Sequence, residues 1–293
     1  MIHNRTYCSV KSEYMNHILM HIIASACYFA LALMAWLKIS ESKTDIPANQ
    51  KIQSGSDVSL LGLLPISLHL YLVVSKMLEG GGIHLGLGVF TSLVFACVSI
   101  AYVIYGFVSR NNSLLFLSFP FSGFALLLAM LDGATVAVPN TEFLLFKTHL
   151  ILSVVSYGLF TVSVLHAALM SSVETKLHRH IISPLIGNLP PLLQLEKILF
   201  VVIYLGFFSL TLALLTGIVF SMEIGLPAIP FSHKSVFSIA SWGFFLCLIL
   251  GRAILGWRGR FARRLLFSGF TLLVLGYLGS RFVAEIILHH PQY

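Results

Sequence analysis

The chain has 293 residues, of which 57% are hydrophobic and only 10% charged, with a mean hydropathy of +0.92. Soluble domains carry about 25% charged residues, so this composition excludes a cytosolic enzyme, a nucleic-acid-binding module and a disordered tail. The net charge of +7 reads instead as a bias toward one membrane face.

A spanning helix needs about 20 mostly apolar residues. In chain order the segments that meet this test are Asn16 to Leu37, Val58 to Met77, Leu85 to Val108, Ser113 to Leu131, His149 to Ser171, Ile198 to Met222, Ser235 to Leu255 and Leu265 to Leu288. The expected fold is all-α, a polytopic transmembrane helix bundle of eight spans. Residues 1–15 read as an N-terminal tail, too polar for a clean secretory signal, and residues 16–293 as a single integral-membrane domain. Pro120 interrupts the short fourth span, and Arg281 and Glu285 fall in the last turns of the eighth. Glu174 to Lys197 has the apolar and proline content of a segment lying in the interface. Asp132 to Lys147, with its FLLF run, reads as a loop against the membrane surface, with a helix or re-entrant cover as the alternative.

Twelve Lys and Arg fall in the odd-numbered loops, five of them at Arg252, Arg258, Arg260, Arg263 and Arg264, against six on the other side. That asymmetry predicts cytoplasmic odd loops and both termini outside. The four cysteines show no CxxC or CxxCH spacing, which argues against a thiol relay and against covalent heme attachment.

The 12 His outnumber all 11 acids, although the chain otherwise avoids ionisable groups. With the predicted topology most lie toward the outer face: His17 and His21, His84 before the third span, His149 opening the fifth, His233, and His289 and His290 ending the eighth. His69 is near the middle of the second span and His166 deep in the fifth. An ionisable group inside a span usually faces the bundle interior or a cavity. At a helical turn of about 100° per residue, Ser153, Ser156 and Ser163 lie within about 40° of His149. Such a stripe is either a helix-packing face or the lining of a ligand site headed by His149.

Imidazoles from separate spans can ligate a heme iron, whose flat apolar ring suits a pocket between apolar helices and whose propionates need basic partners. Zinc is disfavoured, because no HExxH or CxxC pattern is present. The EGGGIH run at Glu79 to His84 is no Walker motif, and there is no GxSxG, so no enzymatic reaction is indicated. Arg281 and Glu285, four apart, read as a structural ion pair.

From Leu189 onward the chain carries PPLLQLEKILF, LTLALLTGIVF, KSVFSIASW, GWRGR at Gly256 to Arg260, SGF at Ser268 and YLGSR at Tyr277 to Arg281. With LHLYL around His69 and HLILSVVSYGLF from His149, this order resembles the membrane cytochrome c assembly (heme-handling) protein family, closest to its YpjD/HemX-like inner-membrane branch. The resemblance covers roughly Pro65 to Leu288. It implies a multi-pass protein of the bacterial inner membrane that binds heme b near the outer face for cytochrome c assembly. By that resemblance His149 is an outer axial iron ligand and Lys234 and Trp242 match a lysine-to-tryptophan stretch, while His289 stands near the place of a second outer histidine. The chain departs from the fuller pattern at two places. Met222 to Lys234 holds neither Trp nor Asp, where a tryptophan-rich loop is expected, and Leu250 replaces an in-membrane histidine.

The candidate cofactor residues are therefore His149, His69, His84, His289, Ser153, Lys234 and Trp242, with His149 the candidate heme-iron ligand. Expected partners are heme, membrane lipids, and proteins of cytochrome c maturation or heme biosynthesis. The competing reading is a membrane regulator or scaffold of such proteins that binds no heme itself. A small-solute transporter, resting on Pro65 and Pro120 as sites of unwound helix, is a third. Beside the resemblance, the arginines around Trp257 have a plain physical reading as an anchor for anionic lipid headgroups.

Overall fold

The structure, a computed structural model, describes residues 2–41, 48–109, 114–132, 137–180, 189–228 and 232–283. Eight long helices account for nearly all of them: α1 Ile2–Glu41, α2 Ala48–Met77, α3 Leu87–Ser109, α4 Leu115–Leu131, α5 Leu144–His178, α6 Leu192–Glu223, α7 His233–Leu255 and α8 Gly259–Val274. A π-helical turn, Leu275–Gly279, and a last helical turn, Ser280–Phe282, continue α8. Seven of these helical stretches are long and apolar enough to cross a membrane, and α4 is a shorter apolar helix. The polytopic all-α architecture read from hydropathy is the one observed.

The boundaries differ where polar residues lie inside helices. α5 starts at Leu144 rather than His149, so the FLLF run is the first turn of a helix and not a surface loop. α5 also continues to His178, and α6 begins at Leu192. The expected interfacial segment is thereby shortened, and residues 181–188 of it lie outside the described residues. α8 begins at Gly259, six residues before the predicted start of the last span. Both Pro65 and Pro120 sit inside continuous helices, so neither marks the unwound backbone a transporter reading needs.

The chain divides into two compact units, residues 1–135 and 136–293. In the first, α1 packs on α2 and α4, and α3 on α2 and α4. The contacts are made by small polar residues, which let helices approach closely and satisfy their hydroxyls. Ser25 Oγ donates to the Gly123 carbonyl at 2.9 Å, and Ser99 and Ser122 bond at 2.7 Å. One end of the unit is tied together by Asp132. Its carboxylate accepts from the backbone N–H groups of Gly88 and Val89, at 3.0 and 2.7 Å, and so caps the start of α3. Lys76 Nζ donates to the carbonyls of Ala129 and Asp132, which close the end of α4.

In the second unit α5 and α6 pack along most of their length, α7 pairs with α8, and α5 also meets α8. Phe160 of α5 and Phe245 of α7 stack face to face with ring centroids 3.7 Å apart. Ser241 Oγ donates to the Gly269 carbonyl at 2.8 Å, joining α7 to α8. The GWRGR motif is the turn between those helices. Gly256 takes φ +65°, the left-handed conformation that ends a helix, and Trp257 N–H returns to the Gly251 carbonyl at 3.1 Å.

The opposite end of this unit from His149 is held by ion pairs. Glu174 on α5 accepts from Arg263 and lies 3.5 Å from Arg260, while Glu196 on α6 lies 2.8 Å from Arg252 and 3.3 Å from Arg258. Three of the arginines read above as a headgroup anchor, Arg258, Arg260 and Arg263, therefore also bind carboxylates of neighbouring helices, as does Arg252.

Candidate functional site

The candidate residues fall into both units. His69 and His84 belong to the first, whereas His149, Ser153, Lys234 and Trp242 belong to the second. His289, with Glu285, lies outside the described residues.

In the first unit, His69 is fully buried on α2 and both ring nitrogens are engaged. Nδ1 bonds the Tyr28 hydroxyl at 3.1 Å, Nε2 bonds Ser92 Oγ at 2.7 Å, and the Tyr28 ring packs edge-on at 5.6 Å. This is a saturated polar link between α1, α2 and α3, with no nitrogen left for a ligand. His84 lies in the connection before α3, half-buried, its backbone N–H donating to the Met77 carbonyl at 2.7 Å. Its Nδ1 is buried and has no hydrogen-bond partner among the described residues.

In the second unit, His149 sits one turn and a half into α5, against α6. Its Nδ1 is 2.7 Å from the carbonyl oxygen of Ala213. A carbonyl can only accept, so Nδ1 carries the proton and donates it. In the neutral imidazole this leaves Nε2 as the bare lone-pair nitrogen, the form a metal requires. The same carbonyl accepts from Thr216 Oγ1 at 3.0 Å.

Gly217, four residues beyond Ala213, makes the space for the ring. A Cβ there would stand 3.0 Å from both Cε1 and Nδ1 of His149. One turn further out, Phe220 is flanked by Phe143 and Phe146 with ring centroids 6.0 and 5.5 Å away, an apolar aromatic group at the same end of the α5–α6 seam.

The serine stripe below His149 is a packing face. Ser156 Oγ donates to the Gly206 carbonyl at 3.3 Å, and Ser209 of α6 donates back to the Leu152 carbonyl at 2.9 Å. Ser163 bonds within its own helix, to the Leu159 carbonyl at 3.0 Å. Ser153 is half-buried. His149 therefore heads a close helix contact whose other side is the small-residue row Gly206, Ser209, Ala213 and Gly217. Those partners escaped the sequence reading, yet their spacing of three, four and four residues was visible.

Trp242 on α7 stacks on Phe207 at 5.6 Å and donates from Nε1 to Thr211 Oγ1 at 3.0 Å. Thr211 and Ala213 are two residues apart, about 200° around α6, so Trp242 and His149 engage different faces of that helix. Lys234, in the first turn of α7, has its Nζ 6.0 Å from the centre of the Tyr277 ring. Among the described residues no group of three or more His, Cys, Asp or Glu could hold a metal ion by itself. A single imidazole with a fixed tautomer could still hold an iron whose other ligands a cofactor brings with it.

Comparison with known proteins follows this geometry. Residues 57–288 match the pattern of the family described as "Cytochrome C assembly protein". The "Inner membrane protein YpjD" of Escherichia coli (strain K12) is 31% identical over 144 residues, 47% of this chain and 52% of that protein. An "Uncharacterized 28.8 kDa protein in nifR3-like 5'region" of Azospirillum brasilense is 31% identical over 141 residues, 48% of this chain and 52% of its own. The matched region thus spans about half the length of these curated relatives. No solved structure matches the chain.

Proposed function

This chain belongs to the cytochrome c assembly protein family, and from that premise we propose that it is a multi-pass protein of the bacterial inner membrane that binds heme through Nε2 of His149. It holds the cofactor for cytochrome c assembly and catalyses no reaction of its own. The placement in an inner membrane is supported by the likeness to the inner membrane protein of Escherichia coli and by the seven membrane-length helices.

The observation that carries the reading is the His149 to Ala213 hydrogen bond at 2.7 Å. Histidines that bind metals almost always donate their other N–H to a carbonyl, carboxylate or water, which fixes the tautomer and the ring direction. Here the donor and the acceptor sit on two packed helices, so the lone pair is aimed by the α5–α6 seam rather than by a flexible loop. Gly217 leaves the ring room and the aromatic residues at Phe143, Phe146 and Phe220 supply apolar surface nearby. A bound heme b would supply a redox-active iron, which the Nε2 of His149 would hold. The residues present fit that role for one ligand.

The test is the absorption spectrum of the purified full chain loaded with heme in detergent. The wild type is expected to give a Soret band shifted from that of free heme, and His149→Ala to lose the shift. Identical spectra and affinities for the two proteins overturn the ligand assignment. No binding by the wild type leaves the scaffold reading in its place.

A further inference from the structure

The buried polar groups of the two units are arranged differently. In the second, Ser156, Ser209 and Ser241 donate to backbone carbonyls, which hold no proton to pass on. In the first, a row of fully buried side chains bonds one to the next. Ser92 Oγ lies 2.7 Å from Nε2 of His69, whose Nδ1 lies 3.1 Å from the Tyr28 hydroxyl. That hydroxyl also hydrogen-bonds the Ser99 side chain, and Ser99 Oγ lies 2.7 Å from Ser122 Oγ. A hydroxyl and a neutral imidazole each carry a proton and a lone pair, so every member of the row can accept and donate.

The row extends toward both ends of α3. Beyond Ser99, Tyr102 and Tyr105 follow at one-turn intervals and interact with each other, and the Tyr105 hydroxyl bonds the side chain of Ser109, the last residue of the helix. From Ser92 to Ser109 the helix rises about 26 Å, close to the hydrocarbon thickness of a bilayer, about 30 Å. At the other end stands His21, about two turns from Tyr28 on the same face of α1. Its Nδ1 lies 2.8 Å from the His17 carbonyl and so carries the proton, while its Nε2 is buried with no hydrogen-bond partner among the described residues. His21 acts electrostatically on His69, and Lys76 of α2 and the exposed His17 act on His21.

We propose that the first unit is a proton relay: the row Ser92, His69, Tyr28, Ser99 and Ser122, entered from His21 and continued by the tyrosines of α3, passes protons through the membrane. Histidines buried in membrane spans mark such relays. Neither heme nor His149 takes part. In one passage a proton reaching Ser92 displaces that hydroxyl's own proton onto Nε2 of His69. The imidazole releases the proton on Nδ1 to the Tyr28 oxygen, Tyr28 releases its proton to Ser99, Ser99 to Ser122, and Ser122 yields one toward the far end. Each O–H or N–H bond that forms is matched by one that breaks, so no charge stays on the row, but its hydrogen bonds are left reversed. The reset requires the buried imidazole, packed edge-on against Tyr28, to reorient, so one proton crosses per reset. A network that serves packing alone would use the same hydrogen bonds and move no proton.

The full chain is reconstituted in phosphatidylcholine vesicles that enclose a pH-sensitive dye, a potassium diffusion potential is imposed with valinomycin, and the dye reports proton entry. The wild type is expected to acidify the vesicles faster than protein-free vesicles acidify. Tyr28→Phe, which removes one hydroxyl and keeps the ring, should lose that excess, and so should Ser99→Ala. Ser241→Ala, which removes a buried hydroxyl of the second unit, should keep it. All are compared at equal helix content by circular dichroism and equal protein per vesicle. An excess lost in Tyr28→Phe or Ser99→Ala and kept in Ser241→Ala upholds the relay. Wild-type entry no faster than in protein-free vesicles overturns it, as does an excess that survives in both Tyr28→Phe and Ser99→Ala. An excess lost equally in Ser241→Ala follows the fold rather than the row, and overturns it as well.

Discussion

The imidazole of His149 rests on Gly217 of α6, where a side chain would press on it: a Cβ there falls 3.0 Å from the ring atoms Cε1 and Nδ1. The ring is rigid and its Nδ1 is fixed to Ala213, so it cannot give way without lengthening that bond. Gly217→Ala is therefore expected to weaken heme binding about tenfold, at the low end of the usual cost of disturbing a metal ligand's supporting contacts. Alanine also favours the helix by up to about 1 kcal/mol, so thermal unfolding should shift little. Unchanged affinity in a folded Gly217→Ala protein would show that the orientation of the ring does not matter.

His69 should behave in the opposite way. Its two nitrogens close a buried link from Tyr28 to Ser92, so His69→Ala leaves both hydroxyls short of a partner and opens a cavity. The expected cost is about 2 to 4 kcal/mol of stability, seen as a lower unfolding temperature in detergent. The heme spectrum should be unchanged. A spectral change in His69→Ala, with the fold retained, would return His69 to the set of ligands.

These two histidines show what was legible in the sequence and what was not. Hydropathy located the membrane-length helices well, and Val58 to Met77 coincides with the apolar stretch of α2 because both its ends are marked by polar residues. It missed the first turns of α5 and α8. Lys147 and Thr148 in one and Arg260, Arg263 and Arg264 in the other look like loop, whereas in the fold Thr148 bonds back into its own helix and two of the arginines meet Glu174. His149 stood out by its chemistry. Its partners did not, because Ala213 contributes a backbone carbonyl and Gly217 contributes the absence of a side chain, and neither has a chemical signature in a sequence. His69 and His149 look alike in one dimension; only the third dimension shows one saturated and the other with a nitrogen to spare.

The ion pairs at the far end of the second unit differ in burial, and that difference orders their effects. The Arg263 side chain is 9% exposed against Glu174, whereas Arg258 is 60% exposed beside Glu196. Glu174→Gln strips Arg263 of its countercharge where water is scarce and is expected to cost about 2 kcal/mol, less than a fully buried pair because the carboxylate itself reaches solvent. Arg258→Gln should cost under about 1 kcal/mol and mostly at low salt. Comparable destabilisation by the two variants in a thermal melt would contradict this ordering.

The turn between α7 and α8 makes the sharpest packing prediction. A Cβ built on Gly251 would fall inside the indole of Trp257, which folds back over α7 because Gly256 reverses the chain with φ +65°. Trp257 also meets Phe261 edge-on at 4.6 Å, so the indole is held from both sides and cannot simply swing away. Gly251→Ala should therefore cost about 1 to 3 kcal/mol through overpacking. Removing the indole should remove the conflict: in Trp257→Leu the added methyl of Gly251→Ala has space, so the double variant should be more stable than the sum of the single effects predicts. Gly256→Ala should cost about 1 to 2 kcal/mol whichever residue stands at 257, because its penalty lies in the left-handed backbone and not in the indole. A double-mutant cycle on unfolding temperatures, with coupling between 251 and 257 and none between 256 and 257, checks both halves of the argument.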